Sequence, residues 1–272
     1  MKPIQNTIFG GRGFIGAHLC KYLEKDSLPY QIVGRRDPLP KGNLGNIFYC
    51  AGITADFRSR PFETMGAHIS TLSNVLEHGQ YDTFLYLSSA RMYRNASLTT
   101  EDVKFTIDPN SPEDFVDVSK LAGESLCLSI DNNKIRILRL SNVFGYDFLS
   151  QNFLTEIIKS ALIDRKIHLL SSLDSSKDYV DVDSVVNIMV RIAESGQNRI
   201  YNVSSGYNVS HEEIVLLLRD LTGCSLTVAD NAPSVICPTV NNDRIRQEFN
   251  YRPARLTDKL EDLVNAFKIM FL

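Results

Sequence analysis

At 272 residues, 43% hydrophobic and 22% charged, the chain suits one large domain or one domain with a small appendage. A formal net charge of −3 and a pI near 6.0 exclude broad attraction to nucleic acid or anionic membrane surfaces. No apolar run reaches the length of a secretory leader or a membrane span, so a cytoplasmic setting is expected. The five cysteines (Cys20, Cys50, Cys127, Cys224, Cys237) are scattered, without CxxC spacing, and read as buried thiols. The histidines are equally dispersed, and no metal site is expected.

In chain order, strand-like apolar runs alternate with segments of helical period. Ile4 to Phe9 reads as a strand, Phe14 to Glu24 as a helix, and Gln31 to Val33 and Ile47 to Ala51 as two more strands. A helix from Phe62 to Glu77 follows, then a strand from Thr83 to Leu87, a helix carrying Lys120, and a strand from Ile135 to Leu140. This alternation argues for a doubly wound parallel sheet. After Asn142 the pattern changes to helices near 151–164, 183–195, 210–222 and 257–270, separated by short strands near 167–170, 178–181, 200–203 and 226–229. The expected organisation is a dinucleotide-binding domain over 1–145 and a smaller α/β substrate lobe over 146–272, partly returning to the sheet. No Pro/Gly-rich linker separates them, so a shared cleft is the default small-molecule site. About eleven residues separate Arg35 from Ile47, too few for a strand and two crossover helices. The sheet edge after the second strand is therefore expected to be trimmed.

The first strand runs into GGRGFIG, giving Gly10-x-x-Gly13-x-x-Gly16 between a strand and a helix. Glycine permits the tight turn and lets backbone approach a pyrophosphate. The helix starting at Phe14 and Ile15 offers free N–H groups and a positive dipole end. The fold class expected is therefore Rossmann-type α/β, with a dinucleotide at this turn. After the second strand stands Arg35, with Arg36 beside it, where an NAD-specific site carries an acid against the ribose 2′-hydroxyl. Guanidinium groups suit a 2′-phosphate, and Arg12 inside the turn can assist, so the sequence favours NADP(H) over NAD(H).

Six segments, in order over nearly the whole chain, resemble one family. They are the glycine turn, FYCAGIT (48–54), YLSSARMY (86–93), RLSNVFG (139–145), KDYVDVDSVV (177–186) and YNVSSGYNVSHEEI (201–214). The sequence resembles the extended short-chain dehydrogenases/reductases of the nucleotide-sugar epimerase/dehydratase/reductase group. The resemblance implies that Ala51 and Gly52 face the cofactor. Ser89 would hydrogen-bond the substrate oxygen, with Ala90 and Tyr93 beside it. Lys120 would bind the nicotinamide ribose and lower the pKa of a tyrosine four residues earlier, and Asn142 would lie near the substrate. It also implies a nucleotide-sugar substrate and a homodimer formed through the Lys120 helix and the one before it.

The chain departs from the family where the tyrosine should stand: the pair reads Val116-Asp117-Val118-Ser119-Lys120, and valine cannot transfer a proton. Three explanations stay open: a substitute such as Tyr93 or a water, less demanding or absent chemistry, or a chain that has lost its tyrosine. A second departure lies at 231–247, where Ala232 and Val235 replace charged positions of a diphosphate-gripping stretch. Arg244 and Arg246 read as helix-surface charges. Asp178, Asp181 and His68 read as structural. The expected activity is NADP(H)-dependent reduction or oxidation at the keto group of a nucleotide-activated sugar. One alternative is an epimerase or dehydratase with bound NAD. Another, of a different class, is a dinucleotide-binding or sensor protein without turnover.

Overall fold

The computed structural model describes residues 5–53 and 56–272, so Ile4 of the first expected strand and Thr54 of the FYCAGIT segment lie outside the described residues. The elements in chain order begin with β1 (Asn6–Phe9), α1 (Phe14–Lys25), β2 (Tyr30–Val33), β3 (Asn46–Tyr49), α2 (Pro61–Met65) and α3 (Thr71–His78). There follow β4 (Thr83–Ser89), α4 (Phe115–Ser129), β5 (Ile135–Leu140), β6 (Asn142–Phe144), α5 (Phe153–Lys159), β7 (Lys166–Leu169) and β8 (Ser176–Asp181). The chain closes with α6 (Val182–Ser195), β9 (Ile200–Val203), β10 (Asn208–Ser210), α7 (His211–Thr222), β11 (Ser225–Val228), α8 (Asp243–Phe249) and α9 (Leu256–Phe271).

Six parallel strands form the main sheet in the order β2-β1-β3-β4-β5-β9. Two-residue alternation sends successive side chains to opposite faces. Ile8, Phe48, Leu85 and Leu138 pack on one side with Leu19 and Leu23 of α1 and Val185, Met189 and Ile192 of α6. Phe9, Tyr49, Tyr86 and Ile137 pack on the other with Leu72, Val75 and Leu76 of α3 and Cys127 of α4. Each such aliphatic side chain, fully buried, contributes roughly 1.5–3 kcal/mol. β2 is an edge strand, and the chain returns from it across β1 to β3 without an intervening helix, which is the trimmed edge the short 36–46 spacing requires.

The remaining strands form two small sheets, β10-β8-β6 and β11-β7. They share a second apolar core built on Ile157, Leu162, Ile214, Leu218, Leu260 and Phe267. α6, β9 and α8 return to the main sheet and contribute Val186, Val203, Ile245 and Phe249 to its core. Two expected continuous helices differ in detail. The one expected from Phe62 to Glu77 contains a π turn at Gly66–Ser70, and α5 runs into another at Ser160–Asp164. The first carries a second interaction: the Tyr49 hydroxyl donates to the Ala67 carbonyl at 2.5 Å. Sequence periodicity does not register one wide turn, and such turns often mark functional positions. β6 and β10, three residues each, were too short to show as strands in the sequence.

Candidate functional site

Because the six strands are parallel, everything that follows a strand's last residue gathers at one end of the sheet. Gly10 to Gly16 follow β1, Arg35 and Arg36 follow β2, Ala51 and Gly52 follow β3, Ser89 ends β4 with Ala90 next, and Asn142 follows β5. The chain leaves β1 for β2 on one side and later reaches β3 on the other, which makes the C-terminal end of β1 the switch point where open α/β sheets take ligands.

At that point Gly10 has a φ of +79°, and its carbonyl accepts from Gly13 N at 3.0 Å. A Cβ on Gly10 would lie 2.7 Å from Ala51 N, and one on Gly16 would lie 2.3 Å from Gly10 O. Those two glycines are demanded by the protein's own backbone. Gly13 is not: a Cβ there meets only Gly10 O at 3.4 Å, an ordinary contact, and its φ of −79° suits any residue. Gly13 also precedes the first turn of α1 with no side-chain cap, and no acidic residue stands in that turn. Unpaired N–H groups, an uncompensated dipole and a position kept bare for no internal reason fit a dinucleotide pyrophosphate laid against this turn.

Arg12 in the glycine turn and Arg35 and Arg36 beyond β2 are exposed, but Arg35 is already paired. Its guanidinium contacts the Glu63 carboxylate of α2, which also accepts from Arg60, while Arg60 reaches Asp56 at 3.1 Å. Arg60 and then Arg35 hold Glu63 down at about 2.

α4 presents Val116 and Lys120 on one face, one turn apart. Val116 is 4% exposed, and its carbonyl accepts from Ser119 Oγ at 2.8 Å. Lys120 Nζ donates to Leu87 O at 2.8 Å, and burial pushes its pKa down to about 8, against the opposing pull of Glu124. A Cβ added at Gly52 would meet His68 Nε2 at 3.0 Å and Lys120 Nζ at 3.3 Å, so these two nitrogens flank the loop after β3. His68 is fully buried. The Ile53 N–H points at its Nε2 (3.3 Å), which places the ring proton on Nδ1, donated to Ser119 Oγ at 2.8 Å. Burial, reinforced by the Lys120 charge, lowers its pKa to about 3, so the ring stays neutral. This agrees with the structural role read for His68, and it adds a link that joins the π turn, α4 and the Gly52 loop.

Ser89 ends β4 and accepts from Arg91 N at 3.1 Å, capping the 3-10 turn Ala90–Asn95. Asn142 is exposed, with Nδ2 donating to Asp178 O at 2.9 Å. Tyr93 does not fill the vacancy at Val116. It has no exposed surface, its Oη accepts from Arg139 Nη1 at 2.8 Å and donates to Asn202 Oδ1 at 2.8 Å, and burial raises its pKa. Tyr93 is thereby withdrawn from the substrate-binding and proton-donating roles expected of it. Arg139 in turn holds Glu124 through Nη2–Oε2 at 2.7 Å.

Asp178 accepts from Ser205 N and Gly206 N, each at 2.9 Å, and Asp181 caps α6 through Ser184 N, so both are structural. Arg244 donates to Ile200 O (3.0 Å) and Asp102 Oδ2 (2.7 Å), a tie between segments, while Arg246 is exposed. Sequence reasoning missed Asp117, which is buried beside Val116 and faces Arg94 at 3.1 Å and Arg91 at 3.5 Å. The contact with Arg94 lacks hydrogen-bond geometry at Oδ2, and burial raises the carboxyl pKa. It also missed Glu63, since nothing local pairs residue 63 with residue 35. Among the described residues no group of three or more His, Cys, Asp or Glu is placed to hold a metal ion, and no helix is long and apolar enough to cross a membrane.

Known proteins carry the same architecture. A dTDP-glucose 4,6-dehydratase from Streptomyces griseus is 23% identical over 67% of this chain, and the match spans 57% of that protein's length. A probable UDP-arabinose 4-epimerase from Oryza sativa subsp. japonica is 26% identical over 94% of this chain and 77% of its own. Among solved structures, an NAD-dependent NDP-hexosamine 5,6-dehydratase of tunicamycin biosynthesis superposes with a TM-score of 0.83 at 16% identity, covering 98% of each chain. UDP-glucuronic acid 4-epimerase from Bacillus cereus, with UDP-glucuronic acid and NAD, gives 0.81 at 22% identity over 98% of this chain and 100% of its own. RMD from Pseudomonas aeruginosa, complexed with NADPH, gives 0.77 at 21% identity over 97% and 99%. These likenesses establish the fold. The family model for NAD dependent epimerases/dehydratases matches residues 7–204, most of the chain and all the elements of the cleft described above. The chain belongs to the NAD dependent epimerase/dehydratase family.

Proposed function

We propose that the cleft at the C-terminal end of β1 to β5 holds NAD against the glycine turn and a nucleotide-activated sugar toward Asn142, in the manner of an epimerase or dehydratase. When bound, the dinucleotide would supply a hydride acceptor and donor for a sugar carbon. Ser89 orients the reacting oxygen, Lys120 holds the cofactor ribose, and a proton must move to or from that oxygen. The observation that carries the reading is the state of α4. Lys120 stands buried on the face of Val116 and its neighbours His68 and Ser119 are hydrogen-bonded, yet the proton-transferring position is a valine. The proposed protein is therefore a hydride-transfer scaffold running without its phenolic acid.

The bare sequence favoured NADP(H) and a reductase. The ion pair between Arg35 and Glu63 weakens that preference, because the guanidinium meant for a 2′-phosphate already faces a carboxylate. One relative's structure contains NADPH and another's contains NAD, so both cofactors occur on this fold. A homodimer through α4 belongs to the same proposal, supported by the exposed Val118 and Leu128 on α4 and Phe62 and Met65 on α2.

A second reading, binding without turnover, draws on one observation: the Lys120 ammonium already donates to the backbone carbonyl of Leu87. Val116→Tyr separates the two. With NAD+ and a panel of UDP- and dTDP-sugars, product formation followed by NMR or chromatography, since NAD is regenerated in each cycle, is expected to show turnover raised by roughly 10²–10⁴-fold over the native chain, the usual contribution of a positioned acid. Cofactor affinity should change by less than about twofold. A Val116→Tyr variant that binds NAD+ yet turns over none of the panel rules out the enzymatic reading and leaves the binding protein.

A further inference from the structure

Glu63 belongs to no motif, and the proposed chemistry does not use it. Its position is set by topology. Arg35 leaves the end of β2, and α2 descends from β3; the two strands flank β1 on opposite sides. A bond between Arg35 and Glu63 therefore spans the C-terminal end of β1, across the same switch point that the glycine turn occupies. The trimmed edge leaves no further strand or helix there. In its place stands a chain of charges, from Asp56 through Arg60 and Glu63 to Arg35. Both partners of the key pair remain partly solvent-exposed, at 56% and 42% of their side-chain surface, so the pair can open to a ligand without leaving a buried charge.

We propose that Glu63 is a cofactor-specificity residue: by occupying the Arg35 guanidinium it disfavours the 2′-phosphate of NADP(H) and leaves the 2′-hydroxyl of NAD(H) as the preferred group. A carboxylate on this arginine acts in two ways. It must be displaced before a phosphate can take the two-pronged guanidinium contact, and it repels any phosphate placed beside it. Two arginines hold Glu63 ionised, so the repulsion persists through the physiological range. The inference rests on the dinucleotide reading of the cleft.

Binding alone tests it, with no substrate required. NAD+ and NADP+ are titrated by calorimetry into the native chain, Glu63→Gln, and the double variant Glu63→Gln with Arg35→Gln. Glu63 is partly exposed and glutamine is isosteric, so folding is preserved. The ratio of NADP+ to NAD+ affinity should rise in Glu63→Gln by about fivefold, the upper range for releasing one exposed ion pair. The double variant should lose that gain. A ratio in Glu63→Gln within about twofold of native overturns the inference, and so does a gain that survives without Arg35, provided either dinucleotide still binds. If neither dinucleotide binds any of the three proteins, the dinucleotide reading fails and the inference falls with it.

Discussion

His68 is the residue whose role changes most when its surroundings are known. On a helix it is an ordinary polar residue, whereas here it accepts from the Ile53 N–H and donates to Ser119, which in turn donates to the Val116 carbonyl. It thus ties the loop after β3 to the helix that carries Lys120. Its pKa is lowered to about 3, so the folded chain keeps the ring neutral while the unfolded chain protonates it near the usual 6.5. Between those values the unfolded state binds the extra proton. Stability from this group is therefore complete above about 6.5 and declines as pH falls toward 3, with a slope near 1.4 kcal/mol per pH unit. His211, buried and lowered to about 4, adds a second proton over part of the same range. Denaturant unfolding of His68→Asn between pH 6.5 and pH 4 should show about one proton less in the pH dependence than the native chain. An unchanged slope would mean that His68 is protonated in the fold and that the hydrogen-bond chain is wrong.

At the scale of elements, the βα turn separates glycines that the fold requires from one that it does not. Gly10→Ala puts a β-carbon into the Ala51 backbone at a left-handed φ and should destabilise the chain by roughly 1–3 kcal/mol. Gly13→Ala meets nothing closer than 3.4 Å and should cost about 1 kcal/mol or less, from weaker capping alone. It should nevertheless weaken NAD+ binding by about tenfold, because the methyl stands where the pyrophosphate approaches. Melting temperature and calorimetric affinity, measured on both variants, separate the two roles. Equal loss of stability in both, with no selective loss of binding in Gly13→Ala, would make the turn purely structural. The helix after β3 illustrates the same scale differently. Its π turn keeps the amphipathic rhythm that sequence reveals, while inserting a wide turn at Gly66–Ser70 in the stretch that carries His68.

Across the whole molecule, a buried network joins segments distant in sequence. Glu124 of α4, Arg139 of β5, Tyr93 after β4 and Asn202 of β9 are linked in series, and Asn202 Nδ2 continues to the Thr99 and Asn241 carbonyls. The helix that holds Lys120 is thus braced against the C-terminal half of the chain. What was legible beforehand was local. GGRGFIG between a strand and a helix, the strand–helix alternation and the short 36–46 connection predicted the sheet, its first βα turn and the missing edge. What was hidden was nonlocal. Tyr93 lies in a signature segment, and only its partners in β5 and β9 reveal that its hydroxyl is spent. Arg35 reads as a phosphate ligand until Glu63, far along the chain, is seen against it. Burial and partner choice arise from packing between distant segments, which one sequence does not record.

The central claim, a dinucleotide cleft whose proton-transferring position is a valine, depends first on the cleft. The most direct measurement is the amount of dinucleotide recovered by mass spectrometry when the purified chain, equilibrated with NAD+ and freed of excess, is denatured. The account predicts about one dinucleotide per chain for the native protein and for Val116→Tyr alike, and a small fraction of that for Gly13→Ala. Recovery of essentially none from the native chain would contradict it.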